Sequence, residues 1–200
     1  MVLIVGDSLS AEYGLARNVG WVKLLGDRLA EEATPPPQSA RPANAVPTAS
    51  EYSVVNASIS GETTSGGRTR LPALLRQYQP AVVVIELGAN DGLRGLSLPA
   101  LRDNLRAMIR ASREARARVL LIGIQIPPNY GRDYAQGLVA IYADLAREEN
   151  VALVPFLLAG FADQLDLFQA DRVHPTAQAQ PKILANVWPH LRPLLAVQRQ

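Results

Sequence analysis

The 200-residue sequence predicts an α/β fold with a parallel, doubly wound sheet. Five short runs of β-branched and other apolar residues are continuous rather than alternating, which is typical of strands that helices cover on both faces. Helical stretches lie between these runs. Alternation of strand and helix along a chain favours a parallel sheet between two layers of helices.

Each predicted strand is short and stops at a glycine, a proline or a polar residue. Short apolar runs bounded in this way are typical of buried strands. The five runs are Val2–Val5, Tyr52–Val55, Ala81–Leu87, Val119–Ile126 and Val151–Val154.

Four helices are predicted between and after these strands. In the second, Leu101, Leu105 and Met108 recur on one face, with Ile109 and Ser112 beside them, which is an amphipathic pattern. Prolines at 189 and 193 are expected to interrupt the last helix. The predicted helices are Trp21–Ala33, Leu98–Arg118, Gly137–Glu149 and Thr176–Leu195.

A proline-rich segment, "TPPPQSARPANAVPTAS", covers residues 34–50 and holds five of the fifteen prolines. This composition predicts a long loop or insertion between the first helix and the second strand. It also leaves open recognition of a polyproline segment by a partner.

Composition excludes several classes of function. A net charge of +2 is too small to indicate a nucleic-acid partner, and the absence of cysteine excludes disulfides and thiolate chemistry. No apolar run reaches the roughly 18–20 residues of a membrane helix, so stable membrane insertion is not expected. The protein is expected in the cytoplasm if Met1 is its native start, and a removed leader is the alternative.

One helix face carries Arg102, Arg106, Arg110 and Arg113. Such a face is most simply interpreted as solvated, opposite the apolar face of the same helix. Contact with anionic lipid is the alternative.

Polar residues follow the predicted strands at the edge where open α/β sheets bind ligands. Serine, glycine, asparagine and an Asp/His pair all fall on this edge, which is the main indication of a site. The segments are Gly6-Asp7-Ser8, Asn56–Gly67, Glu86–Gly95, Gln125–Tyr134 and Gln169–Pro181.

Ser8 follows the first strand directly, and a helix is expected to begin there. Its hydroxyl would then lie at the positive end of the helix dipole, which favours a nucleophile, although a helix-capping serine is the simpler alternative. The G-x-S-x-G elbow, the P-loop and the G-x-G-x-x-G fingerprint are all absent.

A nucleophilic serine needs a base, and the chain offers only His174 and His190. His174 follows Asp171 by three residues, so the carboxylate can reach Nδ1 and hold the tautomer in which Nε2 accepts the serine proton. His190 has no nearby acid in sequence and is expected to be a surface or packing residue.

An acyl-transfer site also needs donors directed at the developing oxyanion. The Asn90 side chain and the backbone N–H groups of Gly61 and Ser8 are the candidates. Glycine and asparagine are also residues that favour turns, so a structural role stays open for both Gly61 and Asn90.

Four segments in order carry a family resemblance: "GDSLS", the glycine of "NASISGE", "GAND" and "DRVHP". They resemble the four signature blocks of the SGNH, or GDSL, hydrolases over nearly the whole chain. The stretches "VVNASISGET", "ELGANDGLRG" and "NYGRDY" are similar to the small bacterial thioesterase/lysophospholipase branch, periplasmic enzymes also described as arylesterases.

The resemblance implies a three-layer, flavodoxin-like fold with five parallel strands, in a single domain over residues 1–200. The proline-rich segment at about 34–50 departs from the family pattern and is interpreted as an insertion relative to the compact members of this branch. The resemblance also implies a catalytic triad of Ser8, Asp171 and His174, and an oxyanion hole of Ser8, Gly61 and Asn90. It further implies a periplasmic, monomeric hydrolase of small acyl esters or thioesters that needs no cofactor and no metal.

The acyl chain needs an apolar groove. Leu93 and Leu96, in the segment after Asn90, are predicted to contact it from a mobile rim, and the resemblance implies that this segment is a substrate-responsive loop. Ile126, Pro127 and Tyr130 are predicted to form another wall. Leu157, Leu158, Phe161 and Phe168 lie before the Asp/His pair, where core packing is the expected role.

Three alternatives stay open. A carbohydrate or small-molecule deacetylase of the same superfamily would require a shallow polar site with aromatic side chains on which a sugar can stack. A non-catalytic lipid-binding module would leave the full set of catalytic residues unexplained. A phosphate binder at a helix N-terminus would leave the Asp171/His174 spacing unexplained.

Overall fold

In the described part of the chain, five parallel strands form one sheet, in the order β2-β1-β3-β4-β5. The structure, a computed structural model, describes residues 1–33 and 52–196. The proline-rich segment predicted as an insertion at 34–50 lies outside the described residues. The strands are β1 Val2–Gly6, β2 Val54–Asn56, β3 Val82–Glu86, β4 Arg118–Ile122 and β5 Ala152–Val154.

Strands β1 and β3 are the most deeply buried part of the sheet. Every residue of both strands is buried, as expected for continuous apolar runs between two helical layers. Their register pairs Val2 with Val82 and Gly6 with Glu86, so the two strands end side by side. The segments that follow them therefore meet at the same edge of the sheet.

Helices cover both faces of the sheet, and the predicted doubly wound fold is confirmed. The first and last helices pack against each other, while the second packs against the fourth and the fourth against the fifth. The helices are α1 Trp21–Ala33, α2 Thr64–Tyr78, α3 Ala89–Leu93, α4 Leu98–Glu114, α5 Arg132–Glu148 and α6 Gln180–Ala196. None of the helices in the described ranges is long and apolar enough to span a bilayer.

Helix α2 is not among the predicted helices, and its sequence contains two glycines and a proline. Its N-cap Thr63 accepts a hydrogen bond from the N–H of Gly66. A β-carbon at Gly67 would lie 2.3 Å from a side-chain carbon of Leu87, so the glycine allows the helix to lie close to the core. Packing here outweighs intrinsic propensity.

Helix α6 continues through Pro189 and Pro193, so the expected interruption is wrong. Both prolines are exposed, so the carbonyls that lose a helical partner can reach water. On the opposite face, buried Ile183, Val187 and Leu191 anchor the helix to the core.

The boundaries of several elements differ from prediction, most clearly those of β4 and α5. Strand β4 begins at Arg118, within the predicted α4, and ends at Ile122 rather than Ile126. Helix α5 begins at Arg132, five residues before the predicted start at Gly137.

The arginine face of α4 is ion-paired rather than simply solvated. Arg106 and Arg110 donate to Glu148 and Glu149 at the end of α5, at 3.0 and 2.8 Å. Arg102 pairs with Glu148, and Arg113 donates to the carbonyl of Glu149. The face therefore joins α4 to α5.

Candidate active site

Ser8 lies in a turn that follows β1 directly and is half-buried. The Asp7 carbonyl accepts the N–H groups of Ser10 and Ala11 at 3.2 and 2.9 Å, and its carboxylate accepts the N–H of Leu9 at 3.0 Å. No α-helix begins here, since α1 starts thirteen residues later. The expectation that Ser8 begins a helix, together with the helix-dipole and capping arguments, is wrong.

Ser8, His174 and Asp171 form a continuous chain of polar contacts. His174 Nε2 lies 2.9 Å from Ser8 Oγ, and His174 Nδ1 lies 2.7 Å from Asp171 Oδ2. These distances are those of hydrogen bonds. The other histidine, His190, lies in α6 and is not among the residues that line the cavity described below.

Asp171 is held in its ionised form by its own loop. Its Oδ1 accepts the backbone N–H groups of His174 at 3.0 Å and Val173 at 2.9 Å. These bonds, chiefly the one from His174, lower the pKa of the Asp171 carboxyl from its usual 3.8 to about 2. The carboxylate is therefore charged at any pH at which the imidazole can act as a base.

Three candidate donors for an oxyanion follow neighbouring strands of the sheet. Among the described residues, the N–H groups of Ser8 and Gly61 make no hydrogen bond to a protein acceptor. Gly61 has a φ of +80°, a conformation that favours glycine, and its carbonyl accepts from Arg94 at 3.0 Å. Asn90 donates through Nδ2 to Asp7 Oδ2 at 3.1 Å, so its second amide hydrogen remains for another acceptor.

Helix α3 carries Asn90, and its neighbours hold it against the sheet. Gly88 has a φ of +123°, and a β-carbon there would collide with the Tyr142 hydroxyl, which donates to the Leu87 carbonyl at 2.8 Å. Asp91 accepts the N–H and hydroxyl of Thr64 at 2.9 and 2.6 Å. The Asn-Asp-Gly segment is thus helical rather than a simple turn, and Asp91 ties it to the first residue of α2.

Two buried carboxyl groups, Asp7 and Glu86, lie beneath the Ser8 turn. Glu86 Oε2 accepts the N–H of Asp7 at 3.2 Å and the hydroxyl of Ser10 at 2.7 Å. Burial raises the pKa of Asp7 to about 6 and, with the nearby charge of Asp7, raises that of Glu86 well above 4.5. We take Glu86 as neutral, because its other oxygen is buried without a partner among the described residues.

An apolar cavity of about 660 Å³ opens beside Ser8 and His174. The segments that follow β1, β3, β4 and β5 line it. Its apolar lining includes Leu9, Leu93, Ile124, Ile126, Phe156, Leu158 and Phe168.

Four of the five residues predicted to bind substrate line this cavity: Leu93, Ile126, Pro127 and Tyr130. Leu96 does not line it and is 42% exposed. Of the residues expected in the core, Leu157 and Phe161 are buried there, while Leu158 and Phe168 face the cavity.

Tyr13 covers one side of the imidazole of His174. The centroids of the two rings lie 4.3 Å apart, with an angle of 39° between the ring planes. Tyr13 is 50% exposed and does not line the cavity. In the described ranges, no group of three His, Cys, Asp or Glu side chains is placed to hold a metal ion.

The sequence interpretation missed Asp7, Glu86, Asp91 and Tyr13. Asp7 and Glu86 could have been identified, because each carboxylate lies at the end of an otherwise apolar strand, where burial is expected. No local pattern marks Tyr13, because its contact partner is 161 residues away in the chain.

Comparison with known proteins identifies a family and several relatives of the chain. A model of the GDSL-like lipase/acylhydrolase family matches residues 4–180. The chain is 49% identical over 194 residues to esterase TesA of Pseudomonas aeruginosa, and the aligned region covers 97% of the chain and 89% of the relative. It is 40% identical over 194 residues to thioesterase 1/protease 1/lysophospholipase L1 of Escherichia coli, covering 97% and 84%.

Two further similarities extend the comparison. An arylesterase of Vibrio mimicus is 39% identical over 182 residues, covering 91% of the chain and 83% of the relative. The crystal structure of the psychrotrophic esterase EstA from Pseudoalteromonas sp., inhibited by monoethylphosphonate, matches with a TM-score of 0.85 and 40% identity, covering 97% of each chain.

Proposed function

The chain belongs to the GDSL-like lipase/acylhydrolase family, and on this premise we propose that it hydrolyses acyl esters and thioesters through an acyl-enzyme on Ser8. The observation that carries the assignment of residues is the contact chain from Ser8 Oγ through His174 to Asp171, at 2.9 and 2.7 Å.

Acylation begins when Ser8 Oγ attacks the substrate carbonyl and His174 Nε2 takes the serine proton. Asp171 stabilises the imidazolium and holds its orientation. The oxyanion accepts hydrogen bonds from the Ser8 and Gly61 N–H groups and from Asn90. His174 then donates its proton to the leaving oxygen or sulfur as the bond to it breaks.

Deacylation repeats the sequence with water. His174 removes a proton from water, the hydroxide attacks the acyl carbonyl, and Ser8 Oγ leaves with the proton that His174 returns. Nothing in this cycle calls for a metal or a cofactor. Each oxyanion donor is expected to contribute roughly 10²–10³ fold to kcat.

The apolar cavity supports the proposal that an acyl chain is the part of the substrate that occupies it. Its lining of leucine, isoleucine and phenylalanine suits hydrocarbon better than a sugar. The relatives named an esterase, a thioesterase/lysophospholipase and an arylesterase all act on acyl groups by name, which supports small acyl esters and thioesters as substrates. A periplasmic location and a monomeric state follow from the family resemblance alone and stay predictions.

The test is hydrolysis of p-nitrophenyl esters from acetate to palmitate by the wild type and by Ser8→Ala. We expect a burst of nitrophenol in the wild type that is lost in Ser8→Ala, and a chain-length optimum that reflects the cavity. Turnover by Ser8→Ala at the wild-type rate would contradict the assignment. Failure of both proteins to act on any ester would favour a deacetylase or a non-catalytic lipid-binding module.

A further inference from the structure

Tyr13 is an exposed aromatic residue that contacts the imidazole of His174 but has no part in the mechanism above. Its ring contacts the imidazole of His174 at a centroid distance of 4.3 Å, and half of the residue remains exposed. Part of the ring is therefore free to contact another molecule.

The backbone of Tyr13 is fixed from both sides of the active site. Its N–H donates to the Ser8 carbonyl at 3.4 Å, and its carbonyl accepts from Gln169 Nε2 at 2.9 Å. The N–H of Gln169 in turn donates to the carbonyl of His174 at 2.8 Å. Because Tyr13 is held between the nucleophile turn and the histidine loop, little conformational entropy is lost when a ligand contacts it.

Tyr13 contacts the His174 ring from outside the lining of the apolar cavity. The cavity is lined by the Ser8 turn and by the segments after β3, β4 and β5, and Tyr13 is not part of its lining. An ester that places its acyl chain in the cavity directs its alcohol part away from it. His174 Nε2 must reach the leaving oxygen, so a group attached to that oxygen begins beside the His174 ring.

We infer that Tyr13 forms the leaving-group subsite and favours esters whose alcohol part is a flat aromatic ring. Offset or edge-to-face contact between two aromatic rings supplies the preference. The inference rests on the proposed roles of Ser8 and His174. In the step concerned, the Ser8 Oγ–carbon bond forms, the carbon–oxygen bond to the aryl group breaks, and the serine proton passes through His174 to the phenol.

The test compares phenyl acetate with hexafluoroisopropyl acetate, whose leaving groups have similar acidity. Both give the same acetyl-enzyme. In Tyr13→Ala we expect kcat/KM for the phenyl ester to fall by roughly two- to tenfold relative to the fluoroalkyl ester. Tyr13→Phe, which keeps the ring, should retain the wild-type ratio. An unchanged ratio in Tyr13→Ala would overturn the inference.

Tyr130 provides a matched control, because it is also a tyrosine, is 43% exposed and lines the acyl cavity. Tyr130→Ala should alter the preference between phenyl acetate and phenyl octanoate but not the preference between leaving groups. A change of chain-length preference in Tyr13→Ala, without a change between leaving groups, would place the acyl chain at Tyr13 and overturn the inference.

Pre-steady-state kinetics with p-nitrophenyl acetate separate this role from support of His174. A leaving-group subsite acts on acylation alone, so Tyr13→Ala should slow the burst and leave the later steady rate of deacylation unchanged. Equal slowing of both phases would show that Tyr13 acts only by orienting the imidazole, against the inference. Failure of the wild type to hydrolyse p-nitrophenyl acetate in a Ser8-dependent way would instead defeat the proposed function itself.

Discussion

Asn90 donates a hydrogen bond through Nδ2 to the buried carboxylate of Asp7, at 3.1 Å. Asp7 immediately precedes Ser8, and its other oxygen accepts the N–H of Leu9. One carboxylate thus fixes both the turn that carries the proposed nucleophile and the amide proposed to bind the oxyanion. The aligned ends of β1 and β3 bring the two segments together.

The first prediction concerns this pair. Asp7→Ala should lower kcat by roughly ten- to hundredfold, because a hydrogen bond to a charged group is lost and the Asn90 amide is no longer oriented. Asn90→Ala should lower kcat by roughly 10²–10³ fold. If Asp7 acts through Asn90, the double variant should be about as slow as Asn90→Ala alone.

The kinetics of the double variant decide between coupling and independence. Multiplicative losses from the two substitutions would show that Asp7 and Asn90 act separately. Asp27→Ala, which removes an exposed aspartate on α1, is the control and should leave kcat unchanged.

The second prediction concerns Glu86 and pH. Burial raises the pKa of Glu86 well above its usual 4.5, so the folded protein holds this proton more tightly than the unfolded chain. Glu86 therefore lowers the free energy of unfolding by about 1.4 kcal/mol for each pH unit above 4.5. This loss continues until the pH reaches the pKa of Glu86 in the folded protein.

Glu86→Gln keeps an oxygen that can accept from Asp7 and Ser10 but cannot titrate. As pH increases above about 4.5, the free energy of unfolding of the variant should increase relative to that of the wild type. Urea denaturation at several pH values measures this difference. Curves that stay parallel from pH 4 to 8 would show that Glu86 is ionised in the folded protein.

The third prediction concerns Asp171. Asp171→Asn should lower kcat by roughly 10⁴ fold, because the amide nitrogen can donate to Nδ1 and stabilise the tautomer in which Nε2 cannot accept the serine proton. Since the pKa of Asp171 is about 2, the wild type should show no loss of activity from protonation of this group above about pH 3. Activity of the variant within tenfold of wild type would contradict the role of Asp171.

The fourth prediction concerns the arginines of α4. Glu149 is nearly buried and faces Arg106, Arg110 and Arg113. Glu149→Ala should lower the free energy of unfolding by about 1.5–3 kcal/mol and leave kcat/KM unchanged, because the network lies away from the site. Glu114→Ala, which removes an exposed glutamate with no ion pair among the described residues, should have little effect on either quantity.

The strands and most helices could be predicted because their apolar periodicity is local. Helix α2 could not, since Gly66, Gly67 and Pro72 are poor helix formers and only contact with Leu87 and neighbouring core residues makes the helix favourable. The continuation of α6 through Pro189 likewise depends on tertiary packing that no local rule contains.

For the site, Ser8, Asp171 and His174 could be proposed because serine, aspartate and histidine each follow a strand at the same edge. The polar layer beneath them could not, because the contacts of Asp7 with Glu86 and Asn90 depend on β3 being the neighbour of β1. Strand order is not encoded in the sequence of either strand alone.

The most direct test of an acyl-enzyme on Ser8 is the mass of the enzyme quenched with acid during turnover of p-nitrophenyl butyrate, followed by peptide mapping. We expect one butyryl group, located on Ser8, in the wild type and none in Ser8→Ala. A butyryl group on another residue, or continued hydrolysis by Ser8→Ala at the wild-type rate, would contradict this proposal.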